Sequence, residues 1–185
     1  MDRRGFVRAA SFGVLGAALS RHARASLARA VPVTDLVGRS RHVMVGEPLD
    51  SYSVWERLGG RKHIVTYTRV RALELLAGVD PKQDELLVRT LGGRVGDLGE
   101  LVHGEAVLTP GERSVLFVMP TREALGVTAM AQGHYPLSRD AAGAERLRRS
   151  PEASELLNED GSAVKRFTGL RVPEARDLIR RSVRP

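Results

Sequence analysis

Cysteine is absent from the 185 residues. Disulfides, thiolate metal sites, iron–sulfur clusters, cysteine nucleophiles and a lipidated N-terminal cysteine are thereby excluded. Aromatic residues are scarce, 4% of the chain with one tryptophan, so any core must be largely aliphatic. No apolar run reaches the roughly 20 residues that a membrane-spanning helix needs; Ala9–Leu19 stops well short. Nucleotide and hydrolase fingerprints are missing too. The chain has no Gly-Lys-Ser/Thr, no dinucleotide-type glycine spacing between a strand and a helix, no HExxH and no G-x-S-x-G. No motif calls for a cofactor or a metal, and no catalytic residue is assigned.

A shortage of negative charge is apparent rather than real. The formal charge is +7, but residues 1–30 hold Arg3, Arg4, Arg8, Arg21, Arg24 and Arg29 against Asp2 alone. Beyond residue 30 the chain is nearly balanced, which argues against a nucleic-acid partner.

The same thirty residues have the layout of an export signal: a charged opening, the short apolar run Ala9–Leu19, then two small-x-small cleavage patterns, Ala23-Arg24-Ala25 and Ala28-Arg29-Ala30. Arg3-Arg4-Gly5-Phe6-Val7-Arg8 resembles the twin-arginine motif, with Arg3, Arg4, Phe6 and Val7 as its signal residues. Weak hydrophobicity in the apolar run and arginines just before the cut fit that route. The resemblance implies a bacterial protein that folds in the cytoplasm, meets the twin-arginine translocase in transit and is released to the periplasm or beyond. Cleavage is expected after Ala25 or Ala30, leaving no transmembrane anchor.

The rest of the chain reads as strands around one glycine-rich connection. Asp35–Ser40 reads as a single helical turn capped by Thr34 or Asp35. Arg41–Trp55 is a first long strand, with Gly46 and Pro48 marking a bend. Leu58-Gly59-Gly60-Arg61 is a hairpin turn, and Lys62–Leu76 a second strand with two-residue alternation. After a loop at Gly78–Gln83, Glu85–Thr90 is a third strand, Arg113–Met119 a fourth and Gly126–Gln132 a fifth, entered through a turn at Thr121–Leu125. Further on, Ala141–Arg149 and Glu152–Leu157 read as short helices, Asn158–Gly161 as a turn, and Ala163–Phe167 as a late strand. Pro173–Arg181 is the best helix, with Pro173 and Glu174 at its start, Arg180 and Arg181 at its end, and Ala175, Leu178 and Ile179 on one face.

The expected architecture is therefore mainly β, or α+β. It comprises an N-terminal signal helix over residues 1–30, a partly open five-stranded OB-like antiparallel barrel over 31–137, and an extension with short helices over 138–185, ending in a C-terminal helix. The order of features over residues 35–119 resembles the netrin-like family of OB-type barrels. The matching features are Asp35-Leu36-Val37, Val43–Gly46, the Thr66–Leu76 strand, Gly78, Thr90, and the Pro110–Glu112 turn opening Leu116-Phe117-Val118. Inhibitors in that family work through an N-terminal cysteine that this chain lacks, so no functional residue is transferred. Thr90-Leu91-Gly92-Gly93 and Met130-Ala131-Gln132-Gly133 also resemble segments of small exported bacterial proteins, which implies a family and no activity.

Chemistry must come from scattered groups. Gly92, Gly93, Arg94, Asp97, Glu100, His103 and Glu105 make the connection between the third and fourth strands a candidate binding loop. A metal set from His63, His103, His134 and Asp97 would need the fold to gather residues with no ligand spacing. Tyr52, Trp55 and Tyr67, on the first two strands, can stack a sugar or base if exposed. The expected function is non-catalytic binding of a protein partner or cell-envelope component. The competing readings are a periplasmic enzyme with a histidine/carboxylate site near the loop and an accessory subunit of a larger exported protein.

Overall fold

The computed structural model describes residues 27–183. The signal motif, including Arg3, Arg4, Phe6 and Val7, lies outside them. The first two long strands form one hairpin, β2 (His42–Leu58) with β3 (Arg61–Gly78). It turns on Gly59 and Gly60, both at positive φ (+56° and +82°), as a two-residue primed turn requires. Register shifts at Val43/Met44, Val45/Gly46 and Pro48/Asp50 bend β2 where Gly46 and Pro48 predicted a bend.

Around this hairpin a seven-stranded sheet is assembled with β4 (Glu85–Leu91), β7 (Ser114–Pro120), β8 (Leu125–Val127), β9 (His134–Arg139) and β10 (Glu145–Leu147). Its order is β10-β9-β7-β2-β3-β4-β8, and β8 also pairs with β7, so the sheet returns on itself as a partial ring. One seam departs from the expected all-antiparallel pattern: β4 and β8 are parallel, Val88 opposite Leu125. Two small sheets accompany it, a hairpin of β5 (Gly93–Val95) with β6 (Leu98–Glu100), and β1 (Leu27–Arg29) parallel to β11 (Glu155–Leu157).

Alternation along the strands puts apolar side chains on both faces. Inside the ring, Met44, Val70, Val88, Leu116, Val118 and Val127 meet Ala106 and Leu108 from the long connection between β6 and β7. On the outer face, Val43, Val45, Val115 and Phe117 are covered by α1 (Val33–Arg39), α2 (Ala163–Phe167) and α3 (Val172–Ser182). Phe117, Tyr135 and Phe167 form an aromatic trio there, ring centroids 5.3–5.9 Å apart, each fully buried. Edge and tilted contacts of this kind add about 1 kcal/mol each beyond the area buried.

Several sequence expectations are corrected. The fifth strand is only three residues long. Ala129 and Met130 both take positive φ (56° and 57°), which ends β8 and starts a 3-10 turn over Met130–Gly133. This reversal lays β9 against β7. Ala141–Arg149 is not helical, because Asp140 accepts from the Ala142 and Ala144 amides and folds the segment into a turn before β10. Glu152–Leu157 yields β11, whose partner is the distant β1. Ala163–Phe167 is a helix rather than a strand, since the Ser162 hydroxyl caps it by accepting from Lys165 N at 3.1 Å. At α1 the N-cap is Pro32, with no side-chain cap from Thr34 or Asp35.

Candidate functional site

The predicted binding loop divides into a hairpin and a plug. Gly92 to Glu100 forms the β5–β6 hairpin, folded onto the Ser53–Thr66 cross-strand pair. Thr66 Oγ1 donates to Gly92 O at 2.7 Å and lies 2.8 Å from Ser53 Oγ. A Cβ on Gly93 would sit 2.2 Å from Thr66 Oγ1, so only glycine permits this approach. Arg94 and Asp97 are exposed on the hairpin, Asp97 at its tip. Glu100 ties the hairpin down, with one oxygen 2.7 Å from His63 Nδ1 and the other accepting from Ile64 N at 2.6 Å. These bonds hold its carboxyl below the usual range.

His103 is exposed beyond the hairpin, whereas Glu105 is buried. Burial raises the Glu105 carboxyl above its ordinary range, although the Ala106 and Leu91 amides pull the other way. The seven loop residues therefore do not converge. The histidines are likewise apart: His42 Nδ1 contacts Val79 O at 2.5 Å, His63 meets Glu100, and His134 is buried against Ser150. Among the described residues, no three histidine, aspartate or glutamate side chains lie close enough to hold a metal ion.

Polar groups do converge on the outer face of β2–β3–β4. Strand register places Tyr52 opposite Tyr67, and Tyr67 opposite Arg89. The two tyrosine rings stack at 5.5 Å with an interplanar angle of 19°. Glu56, two strand steps from Tyr52 on the same face, accepts from Tyr67 Oη at 2.5 Å and from Arg89 Nη2 at 2.8 Å. The Arg89 and Tyr67 bonds lower the Glu56 carboxyl, and the Glu56 bond together with burial pushes Tyr67 up to about 12. Glu56 is thus ionised and Tyr67 a neutral donor throughout the physiological range. Trp55 points to the opposite face, opposite Ile64, so the three aromatics do not form one platform.

This network is one wall of a groove of about 360 Å³. The β2–β3 turn supplies Arg57, Leu58 and Gly59, and the β7–β8 turn supplies Thr121, Arg122 and Glu123. Arg57, Arg122 and Glu123 are exposed, while the Glu56–Arg89 pair behind them is mostly shielded. A preset ion pair below exposed charged rims suits recognition of a polar ligand by hydrogen bonds. A larger hollow, about 670 Å³, lies between α1, the end of β3 and the end of α3, but its charged lining, Asp35 and Arg39, comes from one short helix. Three strands and two turns supply the groove, and the hollow has no comparable convergence.

Of the aromatics expected to stack a ligand if exposed, Tyr67 lines the groove but is buried and serves as a hydrogen-bond donor, and Tyr52 is exposed but lies outside the lining. Glu56, Arg57, Arg89, Arg122 and Glu123 carry no signal in the sequence, because their grouping depends on the register of β4 and on the ring closing at β8. No known protein family, no curated protein and no solved structure matches the chain.

Proposed function

We propose that the chain is an exported, non-catalytic binding domain on an OB-type barrel, engaging a protein partner or cell-envelope component through the Tyr67–Arg89 groove. The barrel reading is supported by five strands in a partial ring, the first long and bent, with a long connection before the fourth. These are features of the partly open Greek-key barrel. Such barrels bind oligomeric ligands on the face of their second and third strands, between the first and last hairpin loops. The observation that carries the proposal is the groove in that position: β3 and β4 supply Tyr67 and Arg89, and the two hairpin turns supply its rims. Export is supported by Arg3-Arg4-Gly5-Phe6-Val7 and the cleavage patterns after it. Near-balanced charge after residue 30 favours an uncharged or mixed ligand over nucleic acid.

The test is affinity capture from envelope extract with the immobilised domain and with its Arg57→Glu/Arg122→Glu double variant, followed by mass spectrometry of bound protein and glycan. Both arginines are exposed, so the variant should fold. A species retained by the parent and reduced at least tenfold on the variant supports the groove. Equal retention by both proteins, or no specific capture by the parent, overturns it.

A further inference from the structure

The groove occupies one face of the β2–β3–β4 sheet, and the opposite face carries a chemically different surface. Ser53, Trp55 and Arg57 alternate onto that face, and the register sets Trp55 opposite Ile64 and Arg57 opposite Lys62. The β5–β6 hairpin crosses it. Gly93 abuts the Ser53–Thr66 pair, whereas Glu100 is bonded to His63 and to Ile64 N, so β6 returns along the Trp55–Ile64 step, on the side nearer the β2–β3 turn. This hairpin and the residue after it hold the two most exposed large apolar side chains of the described residues, Leu98 at 61% and Leu101 at 77%. Trp55 is 44% exposed. Ile64 is buried, so the hairpin is seated on the face and its leucines are exposed by placement rather than by loose packing.

The turn next to this apolar patch is cationic. Arg57, Arg61 and Lys62 are exposed, and among the described residues none of them joins an ion pair. Arg57 directly opposite Lys62 is a like-charge cross-strand pair, an arrangement that costs an isolated sheet stability. Arg69, Arg71 and Arg89, farther along the same sheet, all have carboxylate partners. The exposed carboxylate of the small hairpin, Asp97, is matched by Arg94 on the same hairpin, and Glu100 is occupied by His63 and Ile64. Free cations and exposed apolar side chains therefore stand together, with a tryptophan between them. That combination fits the surface of a bilayer with anionic headgroups: leucines enter the acyl boundary, the indole sits at headgroup level and the cations meet phosphates. A nucleic acid would use the cations and the indole but has no place for two protruding leucines. We infer that the β2–β3 turn and the β5–β6 hairpin form a docking surface for anionic phospholipid membrane. The inference goes beyond the groove and requires neither it nor the export reading.

Trp55 is the single tryptophan of the chain, so its fluorescence reports on this site alone. The full chain is mixed with vesicles of equal parts phosphatidylglycerol and phosphatidylcholine, and with vesicles of phosphatidylcholine only. On the anionic vesicles Trp55 emission is expected to move to shorter wavelength and to be quenched by lipids brominated on the acyl chain. Both responses are expected to fall as salt is raised. Arg61→Glu/Lys62→Glu is expected to weaken binding to the anionic vesicles about tenfold or more. Leu98→Ser/Leu101→Ser is expected to abolish the quenching. All four residues are exposed and none lines the groove, so both variants should keep the circular dichroism of the parent, and failure here leaves the groove reading intact. Cosedimentation with no change in Trp55 emission would assign the binding to another part of the chain and overturn the inference. An equal response to uncharged vesicles, an undiminished response in either variant, or a Trp55 response to heparin without one to anionic vesicles overturns it as well.

Discussion

Glu105 and His134 are buried titratable groups whose effects on stability oppose each other. Burial raises the Glu105 carboxyl, so the folded state holds its proton at pH values where the unfolded chain has lost it. Stability from this group therefore falls as pH rises from the ordinary carboxylate range through the raised value. Glu105→Gln is expected to raise the denaturation midpoint at pH 8 and leave it unchanged at pH 4, as urea titrations at the two pH values would show. His134 is lowered to about 4, chiefly by burial, with Glu152 opposing. Here the unfolded chain binds the proton first, so stability falls as pH drops from about 6.5 toward 4, by roughly 3 kcal/mol. His134 sits 3.1 Å from Ser150 Oγ, which donates to Glu152 at 2.7 Å, so Nδ1 carries the proton in the neutral ring. A His134→Asn variant should show a shallower loss of stability between pH 7 and 4 than the parent.

Among the elements, the β5–β6 hairpin is the most exacting. Its glycine at position 93 has φ +129° and faces two hydroxyls at less than contact distance for a Cβ. Gly93→Ala is expected to cost about 2 kcal/mol, read by thermal or chemical denaturation, because either the hairpin lifts or the Ser53–Thr66 pair breaks. Elements with long local patterns were the ones legible in sequence. The β2–β3 hairpin showed itself in the alternation from Ile64 to Arg71 and in Gly59-Gly60, and α3 in Pro173, Glu174 and its arginine end. The short elements were opaque for a physical reason. Glu145–Leu147 and Glu155–Leu157 become strands only because β9 and β1 offer partners, and their charged, alanine-rich surroundings favour a helix in isolation. Val164 and Phe167 give Ala163–Phe167 a strand-like composition, whereas the Ser162 cap decides for helix. Likewise, the groove needs Arg89 opposite Tyr67, a register no local window contains.

For the whole molecule, a cysteine-free domain with two apolar layers can reach its native state without redox chemistry, which suits folding before export. Replacing Arg3-Arg4 with Lys-Lys is expected to trap the protein in the cytoplasm with its fold unchanged, measured by fractionation and circular dichroism. Periplasmic protein at the normal level would count against the export reading. The pairing of Leu27 with Glu155 has a consequence for synthesis. Strand β1 leaves the ribosome well before β11 and the Ala163 amide that hold it, with most of the sheet made in between. A chain arrested short of Glu155 lacks both β11 and the Ala163 amide as partners for residues 27–31, and contacts of such sequence separation form late in folding. Residues 27–31 are thereby fully seated only once Ala163 has been made.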